Sequence, residues 1–347
     1  MFTVGFSGTT VGPDHWIVEA LTEEHLGGIL LFDRNVDGTV QNISSPQQLR
    51  QLVDCLSRYA PEKPFIAIDQ EGGKVCRLKA KTGFVQSPSA QELAASGVSA
   101  TAASAAVMAA EMASLGITLN FAPVVDLDLN PDNPVIGRYQ RSFSSASDVV
   151  TAHARAFITA HHEHGIGCCL KHFPGHGSAG GDSHLGFVDV TTCWQEQELE
   201  PYRCLFAAGY DDAVMTAHLV HHQLDPSGLP ATLSPKIING LLRRQLGFTG
   251  VVFSDDLQMQ AISQRWSYRE AVQLAVLAGV DVLVVGNNLT PRKDAVTEGI
   301  HAIEDMLATG EITEKRIRQS LARIALLKRK IAGLHPWKAT VPPTTCS

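Results

Sequence analysis

Short apolar runs rich in β-branched residues recur along the whole chain, at residues 2–6, 28–32, 65–69, 118–122, 166–171, 213–217, 251–255 and 281–285. Each is too short for a helix, is bounded by Gly or Pro and shows no polar alternation. A strand wetted on one face alternates, so successive apolar positions predict strands covered on both faces, as in a parallel sheet. Between them lie stretches with apolar spacing near 3.6, at 47–56, 90–115, 147–162, 196–208, 234–245, 268–278 and 293–307. The connection around 15–25 carries the weakest pattern. Gly116, Gly247 and Gly279 follow the last periodic residue of three helices, where a left-handed terminating residue belongs. Eight strand–helix units in series predict a single-domain α/β fold, a (β/α)8 barrel of the TIM type over residues 1–335, with an open doubly wound sheet as runner-up. A basic helix over 314–331 follows the last unit, and the Pro/Thr-rich residues 336–347 are expected to be disordered.

Composition narrows the partners. The 347 residues hold 28 Lys+Arg against 35 Asp+Glu, a formal charge of −7, with no basic block. That leaves no footprint for nucleic acid or for an anionic membrane surface. No apolar run approaches the roughly 18–20 residues of a membrane span. The first residues show no basic segment followed by a long apolar one, so no signal peptide is expected; a secreted form with its leader removed is the alternative. The seven cysteines include no Cys-x-x-Cys pair and read as reduced thiols of a cytoplasmic protein. Cys168 and Cys169, inside the fifth strand, read as small buried apolar residues.

The chemistry-bearing stretch is 171–186, Lys-His-Phe-Pro-Gly-His-Gly-Ser-Ala-Gly-Gly-Asp-Ser-His-Leu-Gly. Its glycine density excludes a regular element and marks a shaped loop leaving a buried strand. In a barrel the active site lies at the C-terminal strand ends, and those ends are polar here. Strand three ends in Asp69, four leads to Asp126 and Asp128, and five ends in Lys171 and His172. Strand six ends in His218, seven in Ser254-Asp255-Asp256 and eight in Asn287-Asn288. Charges at the ends of buried strands must be paired or solvated, and several together bind something polar. A carboxylate from Asp255-Asp256 could attack an anomeric carbon while Asp182 or a histidine of the loop moves a proton. Strand alternation puts Asp255 and Asp256 on opposite faces without saying which faces the site. His172, His176 and His184 with Asp182 could in principle hold zinc, but no His-x-His on strand one and no His-Glu-x-x-His helix accompanies them, so no metal or cofactor is expected. His161, His162 and His164 read as a solvated helix end, and His176 as a residue that shapes its loop.

Several segments, in order along the chain, resemble the bacterial β-N-acetylglucosaminidases of glycoside hydrolase family 3. They are Ile68-Asp69-Gln70-Glu71-Gly72-Gly73, Asn120-Phe121-Ala122-Pro123-Val124-Val125-Asp126, Arg141-Ser142-Phe143, Lys171-His172-Phe173-Pro174-Gly175-His176-Gly177, Asp182-Ser183-His184, Val214-Met215-Thr216-Ala217-His218 and Phe253-Ser254-Asp255-Asp256-Leu257. The resemblance implies Asp255 as nucleophile, His184 as general acid/base and Asp182 as the group orienting His184. It implies Asp69, Arg77, Arg141, Lys171 and His172 as holders of the sugar hydroxyls and N-acetyl group, with His218 and Met215 at the same mouth. Many relatives take the acid/base from a second domain; here the barrel's own loop would supply it. The implied activity is retaining hydrolysis of terminal non-reducing β-linked N-acetylglucosamine, from a saccharide or a muropeptide carrying 1,6-anhydro-N-acetylmuramic acid, in cytoplasmic cell-wall recycling. A β-glucosidase or phosphorylase of the same family, and a sugar-binding barrel without chemistry, are the alternatives. Three departures stand out: Lys74 replaces a usual Arg, Arg138-Tyr139-Gln140 lengthens the segment before Arg141, and His221-His222 replaces a more apolar pair. Strand one starts almost at Met1, so the barrel floor is expected to be incompletely covered.

Overall fold

The computed structural model describes residues 1–183 and 185–333; the expected disordered tail, 336–347, lies outside them. Eight parallel strands, each near a sequence-predicted run, close into a barrel: β1 (Phe2–Val4), β2 (Gly28–Leu31), β3 (Phe65–Ile68), β4 (Leu119–Asn120), β5 (Gly167–Phe173), β6 (Ala213–Thr216), β7 (Val251–Asp256) and β8 (Val282–Val285). Each pairs with its sequence neighbour, and β8 returns to β1 with Phe2 opposite Leu283 and Val4 opposite Val285. Alternate strand residues divide between two cores. Leu30, Phe65, Ala67, Cys169, Met215, Phe253 and Val284 fill the interior, while Ile29, Ile66, Cys168, Leu170, Val214, Val252 and Leu283 face the helices. Both sets are apolar, which is why the sequence lacks alternation. Cys168 and Cys169 are fully buried on opposite faces.

The outer ring comprises α1 (Trp16–Thr22), α2 (Pro46–Tyr59), α3 (Ala90–Ser96), α4 (Val98–Ser114), α5 (Ser147–Glu163), α6 (Glu200–Ala207), α7 (Lys236–Gln245), α8 (Tyr268–Ala278) and α9 (Ala295–Thr309). The helix expected over 90–115 is two helices. Gly97, at a φ of 90°, breaks it, and a capping box of Ser89 and Glu92 starts the first piece.

The expectation of an uncovered floor is overturned by α10 (Glu314–Ala332). Its Ile324, Leu327 and Ile331, spaced for one helix face, join the interior core from below. Two buried carboxylates at strand starts fasten it. From α10, Arg323 reaches Asp281 at 3.1 Å and Lys330 reaches Asp212 at 2.6 Å, while Arg243 of α7 holds the other Asp281 oxygen at 2.6 Å. The other oxygen of Asp212 meets His162 Nε2 at 2.6 Å, so the helix end that reads as solvated is instead internal there. His161 is also buried, with Nδ1 donating to the Phe157 carbonyl at 2.9 Å and Nε2 accepting from Asn120 at 3.1 Å. Burial pushes its pKa down to about 3, so it is the neutral ring that bridges α5 to β4. Only His164 of the three is exposed. Periodicity could not reveal this, because a histidine facing a buried partner looks the same in sequence as one facing water.

Replacing Asp212 by Ala removes the buried carboxylate that Lys330 and His162 share, and the expected loss in unfolding free energy at pH 7 is about 3 kcal/mol by urea titration. Burial alone would raise this carboxyl, but His162 and Lys330 hold it down at about 2. Its contribution is therefore complete above roughly pH 4 and fades as pH falls through 2, so the difference between wild type and variant should shrink below pH 4.

Candidate active site

At the C-terminal mouth a pocket of about 210 Å³ is lined by Asp69, Glu71, Arg77, Arg141, Lys171, His172, Asp182, Met215, Asp255 and Asp256. Local geometry explains how residues distant in sequence arrive there. After Asp69 the chain forms a small antiparallel hairpin, Gln70–Gly72 against Val75–Cys76. Gln70 pins it: its N–H donates to Asn120 Oδ1 at 3.0 Å, and its Oε1 accepts from the amides of Arg77 and Leu78 at 2.9 and 3.0 Å. The turn requires glycine at position 72, where φ is 103° and a Cβ would lie 2.1 Å from the Pro88 carbonyl oxygen. The hairpin brings Arg77 back to Asp69, with Nη2 3.5 Å from Oδ2.

An ion-pair network forms one wall. Lys171 Nζ lies 2.7 Å from Asp69 Oδ1 and 2.6 Å from Glu71 Oε1. Arg141 grips Glu71 with two parallel bonds of 2.8 Å, through Nε and Nη2. Burial by itself would lift the carboxyls of Asp69 and Glu71. The Lys171 and Arg77 cations beside Asp69 hold it below the ordinary range, and Arg141 and Lys171 hold Glu71 far below it. Burial would likewise lower the Lys171 ammonium, but Asp69 and Glu71 raise it. The segment Arg138-Tyr139-Gln140 does not displace Arg141. It loops out as a tight turn with Gln140 at a φ of 56°, and the Arg141 N–H returns to the Ile136 carbonyl at 3.1 Å.

Arg141 Nη2 also reaches His172 Nε2 at 3.2 Å, and a guanidinium can only donate. His172 Nε2 therefore accepts, leaving Nδ1–H to donate to Asp126 Oδ2 at 2.7 Å. Asp126 is buried and also accepts the backbone N–H groups of His172 and His176 at 3.1 and 2.9 Å. It is thus the organiser of the 171–177 turn. Burial would raise its carboxyl, but His172 and these donors keep it below the usual range.

Opposite stands the end of β7. The ladder to β8 slips between Phe253 and Asp256, which breaks strict alternation and lets both Asp255 and Asp256 line the pocket. Asp255 Oδ1 accepts the Asp256 N–H at 2.8 Å. His218 stands behind the wall, with Nε2 donating to the Asp256 carbonyl at 2.9 Å and Nδ1 paired with Thr232 Oγ1 at 2.8 Å. Met215 is part of the wall, with 4% of its surface exposed. Asp182 lines the pocket from the loop, and His184 lies outside the described residues. His176 is buried, 3.3 Å from Ser183 Oγ through Nε2, and burial pushes it down to about 4. Neutral at ordinary pH, it ties the turn to the segment that carries Asp182. Among the described residues no group of three or more His, Cys, Asp or Glu is placed to hold a metal ion.

Asp126 stands among the polar strand ends expected at the mouth, without an assigned role; Glu71 and Glu198 escaped the sequence reading as site residues. Glu71 had a signal, since it stands two positions after Asp69 in a strand-end motif. Glu198 had none, because it sits in an acidic run that looks like a solvated helix start. In the fold it is buried beneath the loop, accepting from Gly177 N at 2.8 Å and Ser178 Oγ at 2.5 Å. Gly175 rests on it: a Cβ there would lie 2.5 Å from Glu198 Cβ.

The description Glycosyl hydrolase family 3 N terminal domain matches residues 6–327. A "Beta-hexosaminidase" of Tolumonas auensis is 38% identical over 276 residues, 78% of each chain. "Beta-hexosaminidase A" of Pseudoalteromonas piscicida is 35% identical over 342 residues, 93% of this chain and 56% of that protein. Among solved structures, a glycoside hydrolase family 3 β-N-acetylglucosaminidase from Paenibacillus sp. superposes with a TM-score of 0.87 at 34% identity, covering 99% of this chain and 63% of the other. The chain thus spans little more than half of the Pseudoalteromonas protein and under two thirds of the Paenibacillus one.

Burial pushes the Glu198 carboxyl up to about 7, against the pull of the Ser178 hydroxyl. A raised carboxyl stabilises the fold fully below its unfolded value near 4.5 and loses that contribution as pH rises through 7. Glu198→Gln, which keeps an acceptor for Gly177, should therefore gain thermal stability over wild type between pH 6 and 9. A pH series of melting curves reads this directly, and parallel curves would remove the assignment.

Proposed function

The chain belongs to glycosyl hydrolase family 3, and we propose that it is a retaining β-N-acetylglucosaminidase acting on terminal non-reducing residues. One observation carries the reading: a carboxylate pair from β7, Asp182 from the glycine-rich loop and the Lys171–Arg141–Arg77 cations meet in one small pocket. Its volume, about 210 Å³, is below the roughly 300–1,000 Å³ of pockets for drug-sized ligands. That favours a single sugar unit at a chain end over a run of units in a cleft.

In this mechanism Asp69, Arg77, Lys171 and Arg141 bind hydroxyls and the N-acetyl carbonyl, with His172 held by Asp126 and Arg141 as a fixed neighbour. An Asp255 oxygen bonds to the anomeric carbon while the bond to the departing oxygen breaks, and His184 gives that oxygen its proton. Water then attacks the same carbon, His184 takes the water's proton, and Asp255 leaves as a carboxylate. Two inversions return the original β configuration. Asp182 orients the His184 imidazole. The natural substrate in this reading is a muropeptide fragment with N-acetylglucosamine β-linked to 1,6-anhydro-N-acetylmuramic acid, met in the cytoplasm during cell-wall turnover.

Asp255→Ala should lower kcat on an aryl β-N-acetylglucosaminide by at least about a thousandfold, while N-acetylglucosamine still binds. NMR of the first sugar released should show the β anomer; an initial α anomer would sink the double displacement. Rates on the matching β-glucoside, with and without phosphate, separate the glucosidase and phosphorylase alternatives. The loop is expected to move between protonation and water entry. Gly180 tests this cleanly, because a Cβ there meets nothing within 4 Å, whereas at Gly181 it would press on Val188 at 3.1 Å. Gly180→Ala should reduce kcat by severalfold and leave ground-state affinity unchanged; equal kcat would end the moving-loop idea.

A further inference from the structure

The turn that lengthens the segment before Arg141 does more than loop out. Tyr139, on that turn, lines the pocket yet keeps 46% of its surface exposed. Core packing does not account for a large ring left this open, and the turn beneath it is firmly built. Asn133 is fully buried; its Oδ1 accepts the N–H groups of Val135 and Ile136 at 2.9 and 2.8 Å, and its Nδ2 donates to the His176 carbonyl at 2.7 Å. The Arg138 N–H returns to the Asn133 carbonyl at 3.0 Å, and the Gln91 N–H reaches the Gln140 carbonyl at 3.3 Å. The ring thus stands on a turn fixed at both ends, at the rim of a pocket with room for one sugar unit. Leu289, 37% exposed, lines the same pocket from the turn after β8.

We infer that Tyr139 is the platform for the group attached to the bound sugar, and that it selects substrates whose leaving group is itself a pyranose ring. This rests on the glycosidase reading above. The argument is one of room and chemistry. The charged wall of Asp69, Glu71, Lys171 and Arg141 occupies the inner pocket, so whatever is joined to the bound unit must lie at the rim. A pyranose presents polar hydroxyls at its edge and apolar C–H groups on its faces. A half-exposed tyrosine offers the matching surface, a large apolar face with a polar tip, at little conformational cost. Holding the ring on a braced turn means that little entropy is lost when the leaving group docks. The contact is to the leaving group alone, so it acts on KM for long substrates and not on the chemistry of the bound unit.

The experiment compares N,N′-diacetylchitobiose, whose leaving group is a pyranose, with methyl β-N-acetylglucosaminide, whose leaving group is one carbon. Tyr139→Ala should raise KM for the disaccharide about tenfold with kcat nearly unchanged, the scale of one aromatic contact. The methyl glycoside should be cleaved within about twofold of the wild-type rate, and Tyr139→Phe should restore the disaccharide KM to within about threefold, since the face of the ring is kept. Equal losses on both glycosides would mean that the ring only shapes the pocket, and no loss on either would mean that it touches nothing; both overturn the inference while leaving the glycosidase reading standing. Wild-type protein that cleaves neither glycoside would overturn that reading and this inference with it.

Discussion

Lys171 lies two residues before the end of a strand that is buried throughout, and an ammonium in that position cannot stay charged alone. The uncompensated cost is several kcal/mol. Asp69 and Glu71, within 2.7 and 2.6 Å, keep it ionised. Glu71 in turn needs the two-pronged Arg141, and Arg141 reaches His172, which Asp126 holds. One buried cation thus ties together the ends of β3 and β5 and the segments following β4. The arrangement is dear in desolvation and has no reason to exist as a stabilising device, since apolar residues of similar size would do as well. What it provides is a rigid, polar wall with its donors already oriented, which is what recognition of a hydroxyl-rich ligand requires.

The two ends of the barrel use charge for different ends. At the floor, Asp281 and Asp212 fasten α10 across the strand starts, and Arg243, Arg323, Lys330 and His162 leave those carboxylates no free side. At the mouth, carboxylates and cations line an open pocket. The same residue types mean stability below and chemistry above, and only their place relative to strand direction separates the two. Beneath the loop at the mouth, Glu198 and His176 add a second layer. Neither reaches the pocket wall, yet both hold the backbone from which Asp182 projects.

Much of this was legible in the chain. The eight apolar runs gave the strands and their order because burial on both faces leaves a mark that needs no partner to be read. The polar strand ends marked the mouth for the same reason: a charge after a buried run is conspicuous. His161 and His162 were misread because periodicity places a residue on a face without saying what covers that face, and here the covers, Asn120 and Asp212, come from other strand regions. The floor was misread because the plug comes from the far end of the chain. Glu198 was invisible, since its neighbours in sequence are exposed acids while its neighbours in space are Gly175, Gly177 and Ser178.

The sequence by itself determined the eight doubly covered strands, the glycine stops and the loop dense in titratable groups, all of them local consequences of backbone sterics and burial. Only the tertiary structure decided which carboxylates face which cations. The Phe253–Asp256 slip that turns both aspartates toward the pocket depends on pairing with β8, and the bond between Arg141 and Glu71 joins residues seventy positions apart. Electrostatic partners are chosen by distance in space, and a pattern along the chain does not contain that distance.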